Sequence, residues 1–103
     1  MVKPIANEQD LKKTFDNICS MHGSIGAIMV RENGDVVRGS GSLREDQEGQ
    51  MLAIIMRDAA RLVSLVDPKT TTITRVTISR QSGVSIVATP HQGHIFGVKL
   101  GNR

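Results

Sequence analysis

The chain has 103 residues, 39% hydrophobic and 22% charged, with a formal net charge of +3. That length predicts one domain with a thin core, and the balance of apolar and charged residues excludes a disordered chain. Basic residues are scattered singly apart from Lys12-Lys13, and Phe15 and Phe96 are the only aromatics. The basic stripe and stacking rings of a nucleic-acid binder are therefore missing.

The start, "MVKPIANEQD", has no apolar segment of signal-peptide length and no arginine-rich targeting pattern. Val2 stands where an N-myristoyl anchor needs glycine. No apolar run approaches the ~18–20 residues that span a bilayer. The expectation is a cytoplasmic chain that reaches membranes only through partners, with residues 1–7 flexible. A single cysteine, Cys19, excludes an internal disulfide and suits a reducing compartment. It reads as a small buried hydrophobe.

In chain order, Asn7 with Asp10 forms a box-like helix start. Leu11, Phe15, Ile18 and Cys19 then share one helical face, and Gly23 is the expected stop. "SIGAIMV" (24–30) is apolar on both faces, which predicts a central strand covered on both sides. Asn33-Gly34 predicts a two-residue primed hairpin turn into "VVRGSGS" (36–42). Ser42 and Glu45 form an S-x-x-E box opening a long helix over about 43–66, which Asp67-Pro68 ends. Three more strands are expected. "TTITRVTIS" (71–79) is followed by the turn "RQSG", then "VSIVAT" (84–89), the turn "PHQG" and "HIFGVKL" (94–100). The predicted class is α+β, a five-stranded antiparallel sheet between two helices in the order α-β-β-α-β-β-β.

Chemistry is sparse. His91 and His94 form an H-x-x-H pair across a turn, with no third metal ligand within eight residues in sequence. "GSGS" (39–42) lacks the lysine of a phosphate loop and the third glycine of a dinucleotide fingerprint. Ser24 misses a nucleophile elbow by one residue and precedes a strand. Glu45, Asp46 and Glu48 sit at a helix start, where the dipole accounts for them. No nucleophile, base and oxyanion donor assemble. No cofactor and no catalytic or metal residue is assigned, and the reading is non-catalytic.

The long helix is more informative. In "MLAIIMRDAARLVSLVDP" (51–68), Arg57, Arg61 and Ser64 share one narrow polar wedge at roughly 100° per residue, and Asp58 stands alone. The rest of the cylinder is apolar, whereas a helix on one core needs a stripe little wider than ~100°. Met51, Ile54, Ile55, Asp58, Leu62 and Leu65 are the candidate residues of a second, partner-covered face.

From about Asp10 to Leu100 the pattern resembles the Roadblock superfamily of small adaptor domains. That resemblance implies dimerisation through the second helix and third strand with a like domain, identical or not. It adds Thr72, Thr74 and Val76 to the candidate interface. "GSLREDQEG" (41–49), "AARL" (59–62), "HQG" (91–93) and "GVKL" (97–100) look like the fifth subunit of the Ragulator complex. This implies a scaffold holding Rag GTPases, with sister subunits, at the lysosome or late endosome in TOR signalling. "HGSIGAIMV", "VDP" and "VATP" are similar to the cytoplasmic dynein light chain of Roadblock type. That branch implies binding to the dynein intermediate chain in microtubule-based movement. "RQSG" and Arg75 depart from the dynein pattern. A stand-alone GTPase regulator of the bacterial Roadblock type is a third class.

Overall fold

A computed structural model describes residues 8–41, 43, 46–69, 73–79, 81 and 83–101. The elements run α1 (Glu8–Cys19), β1 (Ser24–Arg31), β2 (Val36–Gly41), α2 (Asp46–Val66), β3 (Val76–Ser79), β4 (Ser85–His91) and β5 (His94–Leu100). The strands form one antiparallel sheet in the order β2-β1-β5-β4-β3. The α+β class, strand number and element order agree with the sequence expectation. Residues 1–7, including the Asn7 cap, lie outside the described residues, as do Ser42 and Glu45 of the capping box.

β1 is an interior strand with both faces covered. Ala27 and Met29 join Leu11 and Phe15 of α1 and Phe96 of β5 in one core cluster. Ile28 and Val30, both 0% exposed, point the other way, into a cluster with Leu52 and Ala53 of α2, Ala88 and Ile95. The side-chain period of a strand, two residues, produces this division. It requires a helix on each side of the sheet. Half-buried Cys19 packs at the edge of the α1 cluster with a free thiol.

Two glycines seat α2. A Cβ on Gly49 would stand 2.7 Å from the Gly34 carbonyl oxygen and 2.7 Å from a Val36 methyl carbon. One on Gly97 would stand 2.8 Å from Leu52 Cδ1. The start of α2 thus rests on the β1–β2 turn at an approach that a side chain would forbid, and its first half lies close enough to β5 that a Cβ on Gly97 would make Leu52 shift.

Four local expectations are corrected. The Asn33-Gly34 turn is not a two-residue primed turn: Gly34 has φ +97° but Asn33 does not have positive φ. Arg31 N–H donates to Asp35 O at 2.9 Å and Gly34 N–H to Arg31 O at 2.9 Å, so the loop has three residues. Asn33 Oδ1 accepts from the Asp35 amide and its Nδ2 donates to the Asp35 carboxylate, which holds the longer loop. The primed two-residue turn lies instead at Gln92 (φ +50°) and Gly93 (φ +75°), after a β4 that continues to His91. α1 ends at Cys19, before Gly23, where Ser20 returns its amide and hydroxyl to the Asp16 carbonyl. Leu43 bridges to Ser40 rather than opening α2.

The predicted strand 71–79 is shorter, with residues 73–75 outside it. Val76 pairs with Ala88, so continuing the register would set Thr74 opposite Pro90. The antiparallel alternation turns the backbone of residue 90 toward β3, where proline has no N–H to donate. Residues 70–72, Arg80 and Ser82 lie outside the described residues.

Replacing Gly49 with alanine adds helix propensity of about 1 kcal/mol but forces the added methyl into the Gly34 carbonyl. Overpacking costs about 1–3 kcal/mol, so a net destabilisation is expected as a lower urea midpoint at unchanged slope.

Candidate functional site

α2 has two apolar faces rather than one. Its buried residues, Gly49, Leu52 and Ala53, all lie in its first half, and its main contacts are with β1 and β5. Met56, Ala59 and Val63 continue that face half-buried, and Ala60 lies exposed along it. On the opposite side Met51 is 51% exposed, Ile54 45%, Leu62 62% and Leu65 82%. Ile55 is half-buried on its flank, and Asp58 lies exposed within it. Arg57, Arg61 and Ser64 are exposed along the strip that separates the two faces on one side.

This arrangement follows from the sheet. A strand pair buries side chains under the part of the helix that lies over it, and the second half of α2 has no fully buried residue. Covering a Leu, Val, Ile or Met side chain contributes about 1.5–3 kcal/mol. A face of five such side chains is therefore comparable to the roughly 4–15 kcal/mol that association costs.

β3 holds the strand candidates. It is an edge strand of four residues, Val76–Ser79, with no charge and no proline. Val76 leans partly exposed on the α2-side core, and Thr74 is exposed before the strand. Thr72 lies outside the described residues. Two members of the apolar surface were not among the sequence candidates: Val66, 78% exposed, and Ile78, 40% exposed. Ile78 was legible in principle, because in a strand it shares the face of Val76, two residues earlier.

A groove of about 750 Å³ opens between α2 and the β4–β5 hairpin, lined by Met56, Arg57, Ile73, His91 and His94 among others. His91 stacks edge-on to Phe96 at 5.8 Å, and His94 Nδ1 lies 2.9 Å from the Gln92 carbonyl oxygen. Both rings have structural neighbours that account for their placement. Among the described residues no three His, Cys, Asp or Glu side chains converge as metal ligands, and no helix is long and apolar enough to cross a membrane.

No family model matches the sequence, and no curated protein matches it. Solved structures do match in fold. MglB of Myxococcus xanthus superposes with a TM-score of 0.76 at 13% identity, over 95% of this chain and 80% of that one. The Roadblock/LC7 domain from Streptomyces avermitilis gives 0.72 at 12% identity, over 84% and 74%. An MglB solved in a tetrameric arrangement gives 0.72 at 10% identity, over 96% and 79%. The chain has the Roadblock/LC7 fold. At these identities the shared content is the fold.

Proposed function

We propose that the chain is a non-catalytic adaptor that works as one half of a pair with a like domain. The observation that carries the proposal is the second apolar face of α2, and the uncharged edge strand β3 is the second element of the proposed interface. The tetrameric arrangement of one MglB of the same fold supports assembly as a use of this architecture. Met51, Ile54, Ile55, Asp58, Leu62 and Leu65 form the helix part of the interface, and Thr74 and Val76 the strand part. Thr72 belongs to the proposed strand part by its place in the sequence.

The finer reading is a Ragulator-like scaffold subunit that supports Rag-type GTPases at the lysosomal surface in nutrient signalling. "GSLREDQEG", "AARL" and the late "HQG…GVKL" support it. Membrane attachment then comes from sister subunits. The dynein light-chain reading rests on "HGSIGAIMV", "VDP" and "VATP", and "RQSG" and Arg75 weigh against it.

The structure sharpens the mutational test of the interface. Leu62 is 62% exposed in the single chain, so Leu62→Glu should leave folding within about 0.5 kcal/mol of wild type in the dissociated chain. Sedimentation equilibrium should find wild type paired and this variant monomeric. A wild-type chain that stays monomeric with every candidate partner at high concentration would sink the adaptor reading. The partner is tested by affinity capture of the tagged chain from cells. Rag GTPases with sister scaffold subunits are expected, and recovery of dynein intermediate chain instead would move the assignment to the motor.

A further inference from the structure

A hollow of about 410 Å³ lies on the side of the sheet away from α2, between the first turns of α1 and the strands β1 and β2. Leu11 and Met29, buried members of the α1-side core, line its floor. Lys12, Arg31 and Arg38 stand exposed around it, one from each of the three elements. Glu8 is its one lining carboxylate among the described residues. His94 lines it from β5, with Nδ1 within hydrogen-bond distance of the Gln92 carbonyl oxygen.

The convergence of the two arginines depends on a bulge. Met29 packs on the α1 side of β1, and Arg31 shares that side by the two-residue period of a strand. On β2, Val36 pairs with Val30 and packs into the α2-side core. An unbroken strand would turn Arg38, two residues later, to that same side. Instead the register shifts between Met29 and Val30, so that Val37 is the extra residue and Arg38 pairs with Met29. Arg38 is thereby brought to the α1 side, beside Arg31. Its guanidinium carbon stands 6.0 Å from the centroid of the Phe15 ring. Contact with a buried ring restricts the guanidinium before any ligand arrives.

The charge and the floor together define what fits. Three cations against one carboxylate leave a surplus of two positive charges with the histidine neutral. A phosphate monoester carries about −1.5 to −2 near neutral pH and offers three acceptor oxygens to planar guanidinium forks. A monocarboxylate would leave part of the surplus unmatched. The apolar floor takes a small apolar body, which inorganic phosphate lacks. An added strand is a poor occupant, because β2 breaks its register at this point. We propose that this hollow binds a phosphate monoester carrying a small apolar body, with Lys12, Arg31 and Arg38 holding the phosphate. The site lies across the sheet from α2 and stands apart from the adaptor reading.

Phenyl phosphate is the probe, titrated into the full purified chain and followed by amide chemical shifts. It should saturate one site per chain, with the shifts centred on Lys12, Arg31 and Arg38. Arg31→Gln and Arg38→Gln should each weaken binding at least roughly tenfold, the loss of one charge-assisted contact. Glu8→Gln should tighten it by roughly twofold or more, because a like charge is removed. Lys13→Gln, beside Lys12 but outside the hollow, should leave affinity within about twofold of wild type. Leu62→Glu should bind phenyl phosphate as wild type does, so a failure of pairing and a failure of this site are read separately. Circular dichroism checks that every variant keeps its fold. Phenyl phosphate that does not saturate overturns the site, as does Lys13→Gln weakening binding as much as Arg31→Gln. Benzoate or inorganic phosphate bound as tightly as phenyl phosphate overturns the assigned chemistry. A short phosphotyrosine peptide bound more tightly than phenyl phosphate supports a monoester carried on a protein side chain. The same peptide bound more weakly supports a free ester.

Discussion

The double-sided burial of β1 is the constraint on which the rest of the molecule depends. A strand with Ala27 and Met29 on one face and Ile28 and Val30 on the other, all buried, cannot lie at a surface. It needs a neighbour strand on each side and a helix on each face. β2 and β5 supply the first, α1 and α2 the second. α2 is seated on β1 and β5 through Gly49 and Leu52, and the second half of its length has no fully buried residue. Its outward face carries Leu62, Leu65 and Val66 rather than polar residues.

How far the sequence discloses this depends on which physical signal dominates at each position. β1 and α2 are legible because each carries more apolar positions than one core needs, alternating on both faces of the strand and spread beyond one stripe on the helix. β3 was overextended. Thr71–Ser79 is uniformly rich in β-forming residues, but strand length is decided by the partner, and Pro90 on β4 removes the amide that further pairing would need. That is a tertiary limit which local propensity cannot carry. The Asn33-Gly34 turn departs from expectation for a different reason. Asn-Gly is favourable for a primed turn, yet the Asn33 side chain has an alternative partner in Asp35. Gln92-Gly93 takes the primed geometry with a less typical residue at positive φ.

The candidate surface was legible in its helical part and less so in its strand part. On a helix, excess apolar width is visible from sequence because the angular position of every residue is known. On an edge strand the same inference needs the strand order, which the sequence does not contain. Ile78 shares the face of Val76 by spacing, and its exposure becomes conspicuous once β3 is known to lie at the edge.

The two edges of the sheet are unlike each other. β2 carries Arg38, Gly39 and Gly41, adjoins an irregularity in its pairing with β1 between Met29 and Val30, and is bridged by Leu43 folding back on Ser40. Charge, glycine and broken register make it a poor template for a further strand. β3 has none of these features. A sheet with one receptive edge can add a neighbour on one side only, and two such sheets meeting there present a blunt strand at each outer end. An assembly of the proposed kind that joined two sheets at β3 would stop growing after that single addition. In symmetry terms, the inequality of the edges favours a closed assembly with a two-fold axis over an open fibre.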